Sequence, residues 1–96
     1  MNVGILTISL RIAGNSSLKE KRQVVKSIIG QVKNRFNVSI AEVEDNDKWQ
    51  LATIGICCVS NDKKRTNDIL SKAEFFISNG RFDIEVIENR TEIISL

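Results

Sequence analysis

The sequence predicts an α+β sandwich in the order βαββαβ, and three observations lead there. An alternating strand, a capped helix with a basic first turn and a second strand fill roughly residues 1–45. The same order returns over roughly residues 49–94, so the chain reads as two βαβ halves. No Pro, linker or low-complexity segment interrupts either half. Two such halves in one chain are the mark of the split-βαβ, ferredoxin-like arrangement.

Each element follows from local pattern. Residues 3–12 alternate, with Leu6, Ile8, Leu10 and Ile12 on one face and Thr7, Ser9 and Arg11 on the other. Ala13-Gly14-Asn15-Ser16 reads as a loop. Ser17 is placed to cap a helix, with Glu20 three residues on completing a capping box. Leu18, Val25, Ile28, Ile29, Val32 and Phe36 recur at helical spacing, which predicts a helix over 18–35.

Asn37 to Glu44 predicts a second strand, Asp45-Asn46-Asp47-Lys48 a polar turn, and Trp49 to Ser60 a third strand paired with the second as a hairpin. Asn61 or Asp62 caps a second helix whose apolar stripe is Ile69, Leu70, Ala73, Phe76 and Ile77. Asn79-Gly80 reads as its stop, with Gly80 suited to a left-handed position. Phe82, Ile84 and Val86 open a fourth strand, whose alternation slips around Glu88-Asn89-Arg90 and predicts a bulge. Right-handed crossovers then favour one antiparallel domain over residues 1–96, with sheet order 4-1-3-2 and both helices on one face. On this reading the first and third strands lie side by side and parallel, so both helix N-termini emerge at one edge of the sheet.

Composition narrows the function classes. The chain has 96 residues, enough for one core, and is 42% hydrophobic and 27% charged. A net charge of +2 gives no whole-molecule steer toward polyanions, so the placement of charge matters more than its sum. No apolar run reaches the roughly 18 residues of a membrane span, and the N-terminus lacks a signal-peptide pattern. A cytoplasmic address without membrane partners is the expectation. Cys57 and Cys58 are adjacent and would face opposite sides of a strand, which disfavours a mutual disulfide or joint metal ligation. The chain has no His, the commonest general base and metal ligand.

The equivalent clusters Lys19-Glu20-Lys21-Arg22 and Lys63-Lys64-Arg65 are the feature that hints at a task. Cations there oppose the helix dipole, and the first turns offer backbone N–H groups to an anion. Arg11 could join them, and Lys19, Arg22, Lys26 and Lys33 form a ridge along the first helix. The candidate anion or nucleic-acid site is therefore Arg11, Lys19, Lys21, Arg22, Lys26, Lys63, Lys64 and Arg65. The plain alternative is a solvated lysine-rich surface. Acidic residues fall on the second and fourth strands, where charge guards sheet edges. Trp49 reads as a hairpin anchor, or as a dimer contact or stacking platform.

Two relatives of this topology fit poorly. An RNA-recognition motif stacks bases on aromatics of its central strands, yet Leu51 to Val59 contains none. An acylphosphatase-like enzyme wants an Arg in a glycine-rich cradle and an Asn on the third strand. Arg11 and Asn61 suggest themselves, but Ala13-Gly14-Asn15-Ser16-Ser17 is a poor cradle and no nucleophile–base pair can be named.

Four runs carry a family resemblance: Ser17-Leu18-Lys19-Glu20-Lys21-Arg22, Arg35-Phe36-Asn37-Val38-Ser39-Ile40-Ala41-Glu42-Val43, Asp47-Lys48-Trp49-Gln50 and Val59-Ser60-Asn61-Asp62. Together they resemble the YlxP-like family of small bacterial proteins, a domain of unknown function. The resemblance spans nearly the whole chain and implies a ferredoxin-like fold. Members are often encoded near translation and ribosome-maturation factors, which implies a link to RNA or ribosomes but no reaction and no site residues. The expectation is a non-enzymatic binding protein without cofactor or metal. Its expected partner is structured RNA or a ribosomal subunit. The alternative is a self-associating structural or regulatory module, a homodimer or protein binder using the open sheet face.

Overall fold

Alternating apolar residues and two capped amphipathic segments build the order β1 (Asn2–Ile12), α1 (Leu18–Arg35), β2 (Ser39–Glu44), β3 (Leu51–Ser60), α2 (Lys63–Ser78) and β4 (Ile84–Ser95). The computed structural model describes residues 1–14 and 17–96; Asn15 and Ser16, half of the expected loop, lie outside the described residues. The four strands form one sheet in the order β2-β3-β1-β4, with every neighbouring pair antiparallel. This is the ferredoxin-like order 4-1-3-2, with the acidic strands β2 and β4 at its edges.

The core follows the alternation. Leu6, Ile8, Leu10 and Ile12 of β1 and Ala52, Ile54, Ile56 and Cys58 of β3 are buried against Val25, Ile28 and Val32 of α1 and Leu70, Ala73 and Ile77 of α2. Burying each of the larger side chains, the Val, Leu and Ile residues, contributes about 1.5–3 kcal/mol. Gly4 sits where a Cβ would fall 2.8 Å from Leu70 Cδ1, so its bare backbone lets α2 dock on β1. The caps form as expected at α1, where Ser17 Oγ accepts from the Glu20 N–H at 3.1 Å. At α2 the cap is Asp62, whose Oδ1 accepts from the Lys64 N–H at 3.0 Å.

Four expectations are corrected. β3 starts at Leu51, and Trp49 lies in the connection before it, 42% exposed. Gly80 is not left-handed; glycine is needed there for space, because a Cβ would fall 2.6 Å from the Phe76 carbonyl oxygen. The slip in β4 occurs at Ile87, between the pairs Ser9↔Glu88 and Leu10↔Val86, slightly earlier than expected.

The fourth correction matters most. β1 and β3 are antiparallel, with Asn2 opposite Ser60 and Arg11 opposite Leu51. The short β2–β3 hairpin reverses the chain, and β1 runs with β2, so β3 must oppose β1. β1 and β3 therefore deliver their helices to opposite ends of the sheet.

Candidate functional site

The two basic first turns do not share a rim. Lys21 is held at the level of Glu42, which pairs with Ile54, while the first turn of α2 hangs from Ser60. Six residues of β3 separate those levels, or roughly 20 Å along the strand. Arg11 and Asn61 likewise stand at opposite ends, which removes the acylphosphatase-like pairing.

Two of the expected cations are also otherwise engaged. Arg11 lies on the sheet face away from the helices and pairs with Glu85 at 3.0 Å. Lys21 is fully buried. Its Nζ donates to the Asp45 carbonyl oxygen and meets Glu42 Oε2 at 2.8 Å as an ion pair. Asp45 completes the cluster: its backbone takes φ 64°, Thr53 Oγ1 donates to its carboxylate at 2.9 Å, and Lys48 Nζ lies 3.3 Å away. The Thr53 and Lys48 hydrogen bonds hold the Asp45 carboxyl below its ordinary 3.8. This cluster ties the start of α1 to the β2–β3 hairpin.

The equivalent corner of α2 uses hydroxyls. Thr66 is fully buried. Its Oγ1 donates to the Asp62 carbonyl oxygen at 3.1 Å and lies 2.7 Å from Ser60 Oγ. Lys63, Lys64 and Arg65 all point to solvent. So do Lys19, Arg22, Lys26 and Lys33 on α1. Among the described residues none of these seven makes an ion pair.

Charge is segregated by layer. The two helices carry ten Lys and Arg against three Asp and Glu, and the rest of the chain carries four against nine. The near-neutral total hides a cationic helix layer over an anionic sheet and loop system. The ridge from Lys19 to Lys33 runs for about 21 Å along α1. Wheel positions within one helix reveal that ridge; summing charge by layer across both helices reveals the larger asymmetry.

The opposite face of the sheet is uncovered. Ile5, Ala41, Val43, Gly55 and Cys57 line a shallow apolar groove there. Cys57 is half-buried on this face, Cys58 is buried in the core, and both thiols are free. Burial pushes the Cys58 thiol up from its ordinary value. Among the described residues no group of three His, Cys, Asp or Glu is placed to hold a metal, and no helix is long and apolar enough to cross a membrane.

Comparison with known proteins agrees with this architecture. The fold resembles the de novo designed protein Foldit4 at TM-score 0.54 and 18% identity, covering 96% of this chain and 97% of that one. The sequence is 39% identical over 90 residues to the uncharacterized protein YlxP of Bacillus subtilis (strain 168), covering 94% of this chain and 97% of the relative. The family model described as protein of unknown function (DUF503) matches residues 3–91. With nearly all its length matched by both, the chain belongs to the DUF503 family.

Proposed function

We propose that this protein is a non-enzymatic binding protein that holds the phosphate backbone of structured RNA, as on a ribosomal subunit, against the outer surface of its helix layer. The observation that carries the reading is the segregation of charge: nine exposed cations against three acids on the helices, Lys21 being buried. A chain that needed charge only for solubility would intersperse the two signs. The contacts are two separate patches, Lys19, Arg22 and Lys26 on α1 and Lys63, Lys64 and Arg65 on α2. Arg11 and Lys21 drop out, being paired on the far face and buried. Recognition works through shape and phosphate spacing, with the first turns of the two helices roughly 20 Å apart along the strand direction.

A salt titration with a structured ribosomal RNA fragment tests this. Six phosphate contacts give a slope of log affinity on log salt of roughly −4 to −5, and steep weakening between about 50 and 200 mM salt. Changing Lys19, Arg22 and Lys26 together to Ala removes about half of that slope, and changing Lys63, Lys64 and Arg65 does the same. The two losses add, because the patches are far apart. In a lysate gradient the protein travels with one ribosomal subunit at low salt only. Undiminished RNA affinity in both triple variants overturns the proposal.

A further inference from the structure

The uncovered face of the sheet carries a second property. Val3 stands between Ile94 and Val59 in one cross-strand row, and Ile5 stands between Glu92 and Cys57 in the next row on that face. Val59 is 60% exposed and Ile94 38% exposed, so this end of the face is apolar and open. Val43, 53% exposed, extends the patch over Gly55, where its Cγ1 lies 3.0 Å from the position of a Cβ.

We propose that this face packs against the same face of a second copy, forming a two-fold symmetric dimer with the sheets inside and the helix layers outside.

Area supports a second copy. Four strands about 4.8 Å apart and up to about ten residues long, at about 3.3 Å each, present roughly 600 Å². Two such faces bury about 1,200 Å², the lower bound of specific, stable interfaces. The charged end of the face is partly matched within itself, Arg11 with Glu85 at 3.0 Å and Arg90 with Glu88 at 3.8 Å, while Glu92 stands beside Ile5 at the margin of the apolar end. A two-fold axis parallel to the strands sets each apolar end against its own copy in an isologous contact. It also leaves the cationic helix layers on opposite outer surfaces, where their repulsion is least.

The test is molar mass against concentration, by light scattering, on the intact chain. The wild type shows about twice 10.8 kDa at high concentration and falls toward 10.8 kDa on dilution. Val59→Glu and Ile5→Glu hold the mass at 10.8 kDa throughout. Val59 is exposed enough that its variant folds even if Ile5→Glu does not. Phe75→Glu, on the solvent side of α2, leaves the dimer intact. Alkylation of Cys57 gives a second readout, slowing as protein concentration rises in the wild type and not in Val59→Glu. A wild type that stays at 10.8 kDa with a constant alkylation rate overturns the dimer. So does a dimer that survives Val59→Glu, because it must use another surface. Salt separates this association from RNA binding: an apolar interface persists where phosphate contacts are screened.

Discussion

The two helix beginnings share one pattern and use it differently. Each cap is followed four residues later by a fully buried polar side chain, Lys21 after Ser17 and Thr66 after Asp62. In the first half that side chain reaches across to another element, joining α1 to Glu42 of β2 and to the hairpin at Asp45. In the second half it turns back on its own corner, bonding Ser60 and Asp62. Equivalence in sequence therefore does not carry equivalence of role. One basic turn gives up a cation to hold the fold, while all three cations of the other stay in water.

The largest expected effect breaks the first of these corners. Lys21→Ala leaves the Glu42 carboxylate buried without its partner and costs about 3–5 kcal/mol in urea unfolding. Replacing both, as Lys21→Met with Glu42→Leu, recovers most of that loss, because a well-packed apolar pair has no desolvation cost to offset. A single and a double variant of equal stability would show that the pair is not a unit.

Thr66→Val probes the second corner and costs about 1 kcal/mol. The effect is smaller because Ser60 Oγ keeps its contacts with the carbonyl oxygen and N–H of Asp62. A loss as large as that of Lys21→Ala would erase the contrast between the halves.

The smallest effect is one of pH. Asp45 is held below its ordinary 3.8 in the folded chain, so its contribution is present above that value and is lost as pH falls through the lower, folded one. Urea midpoints measured between about pH 5 and pH 2 should fall with acid, and fall less steeply in Thr53→Val, which lacks the main hydrogen bond to Asp45. An unchanged acid slope in Thr53→Val would detach Asp45 from this linkage.

Periodicity and caps made most of the fold legible. Helix α1 spans Leu18–Arg35 as its apolar stripe and Ser17 cap require. The relative direction of β1 and β3 was legible too, through the hairpin that reverses β3, but following each crossover separately hides it. The burial of Lys21 left a trace as well: Lys21, Val25, Ile28 and Val32 are spaced four, three and four apart, on one helical stripe. Glu42 sits two residues beyond inward-facing Ile40. A cation on one core face and an acid on the facing one announce a buried pair. Composition alone reads both as surface, because charged residues are seldom buried unless paired. The placement of the α1 and α2 clusters relative to each other depends on strand direction, which no local pattern around either cluster contains.

Both outer strands contain one surplus residue, Val43 in β2 and Ile87 in β4, each set between consecutive partners on the inner strand. Such a residue bends its strand and interrupts the regular row of donors and acceptors along the rim. A further strand laid against β2 would lose registry at Val43, and one laid against β4 at Ile87, beyond the regular run from Glu88 to Ser95. Backbone geometry thus works against lateral growth of the sheet into fibres, even at high salt where the neighbouring carboxylates no longer repel.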